Sequence, residues 1–318
     1  MTKPLPTLPI AVTAVASGAS ARGPSRLAAL NVCERAWALR YYYWIRQNVD
    51  NEYRMGGSLI HTCYEYYYAT KMSEEMRKER CPWFYRQTLQ ERLEEQGRDF
   101  PELVEMAKEN LAAYMQVYSH EPVRPLWIER EFSATLGEID PGGPHPELDD
   151  EVVTCRSDLV FENDDGIWIM DYKSVGAQGT GRDGRLWRWK ANNEYALNLQ
   201  VLVNLHLVRR VLGAGRVRGF IIQRTTRQGP YDFDRHVLSV PMKAYKETPR
   251  QLRYAVQHEM EVARTIQEGG RPKPSFNACF GRYGACDYRD ACMAKDDAGF
   301  QAVLRRDFDV PQLKVVTQ

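Results

Sequence analysis

The sequence predicts a mixed α/β fold, a mixed sheet flanked by helices. Helical periodicity fills the N-terminal third, strand-like runs begin near residue 127, and helical patterns return between and after the strands. A chain of 318 residues that is 43% hydrophobic can bury a sizeable core in one large domain with appendages.

Residues 1–25 contain Pro4, Pro6 and Pro9, and their short apolar run is interrupted by Thr13, so they predict a disordered tail rather than a signal peptide. Residues 27–46 predict a helix, because Leu30, Cys33, Trp37, Tyr41 and Trp44 recur at steps of three and four. Gly56 and Gly57 are expected to break the pattern, with a second helix from 58 to about 71. Residues 72–120 are highly charged and helical in composition, which predicts a helical insert with turns at Cys81-Pro82 and near Gly97. Strands are expected over 127–134, 152–161 and 166–174, with Asn163-Asp-Asp-Gly166 as the turn between the last two. Residues 192–212 predict a helix, 216–225 and 235–240 strands, and 241–268 a last long helix.

A formal net charge of +1 gives no global basic field, but a local basic groove beside acidic metal ligands would cancel to the same sum. No stretch approaches the roughly 20 apolar residues of a membrane span. Seven cysteines, an odd number without a secretion signal, argue against a disulfide framework and for a reducing, cytoplasmic compartment.

The informative segment is a hairpin ending in Asp171-Tyr172-Lys173. Side chains alternate faces along a strand, so Asp171 and Lys173 share a face, and the turn brings Asp158 alongside. Two carboxylates on adjacent strands make an oxygen seat for Mg²⁺ or Mn²⁺, and the Tyr172 carbonyl could supply another oxygen. Such an ion polarises a phosphate and activates water, and a lysine on the same face stabilises charge or orients the water. Asp-x-Lys is common by chance, but here it follows the apolar run Ile167 to Met170, where a polar pair is costly unless it has a task. On the preceding helix His61 and Glu65 lie one turn apart; a helical histidine is more often structural, yet a neutral imidazole beside carboxylates is a common ligand. Glu129 and Glu131 precede the hairpin, and the sequence does not choose between them.

Cys279, Cys286 and Cys292 fall within fourteen residues, and Cys33 is the candidate for a fourth thiolate. An iron–sulfur cluster, zinc and free thiols are the three readings; spacings looser than ordinary zinc knuckles favour the cluster. Cys63, Cys81 and Cys155 have no partner pattern and are expected to be buried. In the Gly-rich basic stretch, Arg182, Arg185, Arg188 and Lys190 interleave with Trp187 and Trp189. That pattern suits phosphate contacts and base stacking, or equally a solvated loop.

Taken in order, these motifs resemble the PD-(D/E)XK nuclease superfamily in its RecB-like branch, with CRISPR-associated and phage-encoded iron–sulfur exonucleases and the AddB nuclease domain as the most similar members. Gly57 to His61 match the branch's Gly-x-x-x-His helix, Asp158 its metal-binding aspartate, Asp171 and Lys173 its Asp/Glu-x-Lys strand, and Gln200 the start of its Gln-x-x-x-Tyr helix. Asn204 replaces that tyrosine, and Cys155-Arg-Ser157 replaces the usual glycine before the first aspartate.

The resemblance implies a restriction-endonuclease-like core over 26–275 and a cluster-binding segment over 276–318. It implies a catalytic set of Asp158, Asp171, Lys173 and Gln200, with Mg²⁺ or Mn²⁺ on His61, Asp158, Asp171 and the Tyr172 carbonyl. A [4Fe–4S] cluster would sit on Cys33, Cys279, Cys286 and Cys292. The implied activity is exonucleolytic cleavage of single-stranded DNA or DNA ends in recombination, repair or phage- or CRISPR-related processing, in a homo-oligomer or beside a recombination-complex partner. The alternative is a catalytically silent DNA-end-binding partner.

Overall fold

The computed structural model describes residues 22–47, 52–176, 180, 185–186, 195–281 and 284–309. Along the chain run α1 (Pro24–Val32), α2 (Glu52–Thr70), α3 (Glu74–Arg80), α4 (Leu89–Gln96), α5 (Pro101–Tyr118), β1 (Arg124–Thr135), β2 (Val152–Asn163), β3 (Gly166–Val175), α6 (Leu199–Leu212), β4 (Val217–Thr226), β5 (Phe233–Val237), α7 (Met242–Gln267) and α8 (Asp297–Asp307). Two compact units divide the chain. One comprises 1–50, 135–153 and 249–318, the other 51–134 and 154–248.

The second unit holds a five-stranded sheet in the order β1-β2-β3-β4-β5. β2 and β3 form an antiparallel hairpin in which Asn163 faces Gly166, so the Asn163–Gly166 turn lies where expected. β3 and β4 run parallel, which requires a crossover, and α6 lies within it and packs on both strands. β5 returns antiparallel to β4. The mixed sheet flanked by helices is the fold class the sequence predicts.

Leu59, Ile60, Tyr64, Tyr67 and Tyr68 of α2 share one core with Ala107, Leu111 and Tyr114 of α5 and with Leu159, Phe161, Met170 and Tyr172 of the hairpin. The insert's helices begin where capping residues allow: Ser73 accepts from the Met76 amide, and Thr88 and Glu91 form a reciprocal capping box.

In the first unit Leu30, Trp37, Leu39, Val262, Ile266, Tyr288, Leu304 and Phe308 form a separate core. Glu259 receives both Arg22 and Arg26, and the fully buried Arg253 is held by Asp140 and Asp149.

Two helix boundaries differ from expectation. The helix expected over 27–46 stops at Val32, because Cys33 is extended (φ −161°) and caps a new short helix, Glu34–Trp37, its Sγ accepting from the Ala36 amide at 3.5 Å. Gly56 and Gly57, expected to break a helix, lie inside α2. Packing against the sheet outweighs their intrinsic cost of about 1 kcal/mol each.

Candidate active site

Gly57 sets the approach of α2 to the sheet. A Cβ there would stand 2.9 Å from the Ser174 hydroxyl oxygen at the end of β3, closer than packing allows. One turn later α2 presents His61, half-buried, with Nδ1 3.6 Å from Asp158 Oδ2 and its ring edge-on to Tyr172, 5.5 Å between centroids.

The hairpin supplies the carboxylates. Leu159 pairs with Met170, which sets Asp158 beside Asp171; both are buried. Asp158 Oδ2 accepts the Tyr172 amide at 2.6 Å. Asp171 is held from two sides: Gln200 Nε2 donates to Oδ1 at 2.8 Å, and Lys173 Nζ pairs with Oδ2. Gln200 is placed by its own helix start, where Asn198 accepts the Gln200 amide as N-cap. Tyr172, between Asp171 and Lys173, faces the other way and packs against Tyr64 and Tyr68 of α2. Its buried hydroxyl has no partner among the described residues.

Burial, together with the charge of Asp171, pushes the Asp158 carboxyl up to about 6, against the pull of His61 and Lys173. Burial disfavours the Lys173 cation, but Asp171 and Asp158 outweigh it and raise its pKa. Lys173 is thus charged at neutral pH.

The structure adds two features that the sequence left open. Glu129 of β1, rather than the exposed Glu131, brings a carboxylate within 4.8 Å of the donor atoms of His61 and Asp158. Burial and the charges of Asp158 and Glu65 hold its carboxyl well above the usual range. In an ideal strand Glu129 and Glu131 share a face, so alternation alone could not separate them. Glu65, buried one turn after His61, pairs with Arg92 of α4 at 2.7 Å. Burial raises its pKa despite Arg92. The insert therefore sends one cation to the rim of the carboxylate group, a pairing 27 residues apart that no local pattern announces. Asn204, where the resemblance expects tyrosine, is buried and accepts the Ser157 hydroxyl at 3.2 Å, fastening α6 to β2.

One imidazole and several mutually repelling carboxylates, with the acidity of Asp158 and Glu129 suppressed, fit a divalent cation taking nitrogen and oxygen ligands. The donor set needs a counter-charge beyond the one supplied by Lys173.

The thiols behave differently. Cys33, Cys279, Cys286 and Cys292 line one small, partly open cavity in the first unit, together with Ser275 and Phe276. None of the four is in a disulfide. The Ser275 amide donates to Cys33 Sγ at 3.4 Å. Burial, and the proximity of the other three sulfurs, raise the Cys286 thiol; burial also raises Cys292, against the pull of Arg35. Cys63, Cys81 and Cys155 are fully buried in the second unit.

Of the basic and aromatic stretch, only Arg185 belongs to the described residues, where it is exposed; Arg182, Trp187, Arg188, Trp189 and Lys190 lie outside them. No described helix is long and apolar enough to cross a membrane.

No curated protein matches this chain. Among solved structures it is similar to a protein from Eubacterium rectale described as a candidate exonuclease, at 14% identity over 79% of this chain and 83% of that one, with a TM-score of 0.45. The sequence pattern of the PD-(D/E)XK nuclease superfamily matches residues 23–293, most of the chain and all of the groups just described. The chain belongs to the PD-(D/E)XK nuclease superfamily.

Proposed function

We propose that this protein is a Mg²⁺- or Mn²⁺-dependent deoxyribonuclease of the RecB-like branch, acting exonucleolytically on single-stranded DNA or DNA ends. The observation that carries the reading is the convergence of His61 and Asp158 beside an Asp171 fastened by Gln200 and Lys173. His61, Asp158, Asp171 and the Tyr172 carbonyl would hold the ion, which supplies phosphate polarisation and an activated water.

The chain's own residues have separate tasks. Lys173, kept cationic by Asp171 and Asp158, stabilises the negative charge that grows on the transferred phosphoryl oxygens. Gln200 is a positioning residue: its amide anchors Oδ1 of Asp171 while Lys173 pairs with Oδ2. The Tyr172 amide anchors Oδ2 of Asp158. Arg182, Arg185, Trp187, Arg188, Trp189 and Lys190 would hold phosphates and stack unpaired bases.

In the same proposal, Cys33, Cys279, Cys286 and Cys292 bind a [4Fe–4S] cluster, for which the shared cavity is the support. Residues 26–275 would carry the nuclease, with its insert over about 72–120, and 276–318 the cluster segment. The setting would be a reducing cytoplasm, in recombination, repair or phage- or CRISPR-related DNA processing, as a homo-oligomer or beside a recombination-complex partner.

The test is digestion of end-labelled single-stranded DNA with Mn²⁺ by anaerobically purified protein and its Lys173→Ala variant. Cleavage by wild type alone supports the reading, and comparing 5′ with 3′ labels gives the polarity. Two inert but folded, iron-loaded proteins would overturn it in favour of a silent DNA-end-binding partner.

A further inference from the structure

We propose that Arg156 is a substrate-binding residue: its guanidinium takes the phosphate next to the one being cut. The proposal rests on the nuclease reading above and deepens it.

Asp158 marks the face of β2 that carries the reaction, with His61 of α2 3.6 Å away. Side chains alternate along a strand, so Arg156, two residues earlier, shares that face. Ser157, between them, points the other way and donates its hydroxyl to Asn204 of α6. Arg156 also attracts the Glu129 carboxylate, which lies within 4.8 Å of the donor atoms of His61 and Asp158. It therefore stands at the edge of the carboxylate group, about 6.6 Å along the strand from Asp158. That step is comparable to the one between neighbouring phosphates of a nucleotide strand. A phosphate held over Asp158 would put its neighbour within reach of Arg156.

The other cations beside these acids are already committed: Lys173 pairs with Asp171 and Arg92 with Glu65. Arg156 is not. Its guanidinium makes no hydrogen bond and no ion pair among the described residues, and its Nε is buried without a partner. Burying such a nitrogen unbonded is costly. An arginine with a purely structural task meets its acceptors, as Arg253 does at Asp140 and Asp149. Glu129 attracts Arg156 yet stays beyond ion-pair distance. The side chain as a whole is half-buried, so part of it meets solvent. A planar fork with unmet donors suits phosphate oxygens, which it can take two at a time. A phosphodiester strand would bring the anion that the fork lacks, while the adjoining phosphate occupies the reacting position.

The test is binding of single-stranded oligonucleotides to the purified full chain, followed by fluorescence anisotropy with Ca²⁺ in place of Mn²⁺ and with the strand checked to be intact. One phosphate at a time, counted from each end, is replaced by a neutral methylphosphonate. Wild type is compared with Arg156→Ala. The variant is expected to bind the unmodified strand about tenfold more weakly, with the slope of log affinity against log salt shallower by about 0.7. Wild type should lose affinity at one near-terminal position to which Arg156→Ala is indifferent, while both respond alike elsewhere. Arg156→Gln, which keeps bulk without charge, carries the same comparison if the alanine variant does not fold. If variant and wild type share one profile at every position, Arg156 holds no phosphate and the proposal is overturned, whatever the melting midpoint does; Lys173-dependent cleavage then leaves the nuclease reading standing. If wild type neither binds nor cuts these strands, both fall.

Discussion

The carboxylate group and the thiol cavity hold their side chains in opposite ways. Asp158 and Asp171 sit on paired strands, and each is tied by contacts of the protein's own making: the Tyr172 amide to one, Gln200 and Lys173 to the other. The four thiols come from short helices and turns around a cavity. Among their described polar contacts are two backbone amides to Cys33, one side chain to Cys292 and a weak Cys279 contact to the Ser275 carbonyl. The first site is built before its ion arrives. With the proposed cluster bound, the second would depend on its occupant to hold the segments together. Preorganised ligands put their cost into buried like charge; loosely held ligands put theirs into chain entropy.

Four experiments break or sharpen that contrast. The largest effect should come from Cys279→Ser. If the cavity depends on its occupant, iron content collapses and the melting midpoint falls on the order of 10 °C. Unchanged melting with lost iron would show the cavity to be as self-supporting as the hairpin.

Next is Lys173→Ala, which should lower cleavage by about 10² to 10³, roughly 2.7–4 kcal/mol, without moving the melting midpoint by more than a degree or two. A large melting shift would mean that the ion pair organises the strand and not the reaction.

The third is a stability measurement on metal-free protein. Asp158 titrates at about 6 when folded, above its ordinary 3.8, so folding favours its protonated form. Its penalty is therefore greatest at pH 7, shrinks as the pH falls through 6, and is gone below the ordinary carboxylate range. Asp158→Asn should melt a few degrees higher than wild type at pH 7 and no higher near pH 4. A variant that melts lower at pH 7 would contradict the preorganised-charge account.

The smallest effect is expected for Gln200→Ala, about tenfold in turnover with little change in Mn²⁺ affinity, since it orients one oxygen of an already tethered carboxylate.

The hairpin was legible because its signals are local: alternation, a turn of polar residues and two acids in register. Cys33 was legible as a candidate ligand but not as a helix break, since a stripe at steps of three and four continues through it whether or not the backbone turns out there. Gly57 read as a breaker because propensity is local, whereas its use, close approach to Ser174, is a distant contact. Glu129 could not be chosen over Glu131 because its positive φ is a property of one backbone angle, and Arg92 was invisible because its partner is reached across the insert.

Tyr172 gives the site a reporter of its own. Its amide is bound to one acid, while its ring sits edge-on to His61 and against Tyr64 and Tyr68 in the core. A fluorine introduced on that ring would sit in a silent, dry environment a few ångströms from the chemistry. Its magnetic resonance line would register ion binding, strand movement and imidazole rotation as separate shifts, leaving every reacting group unmodified.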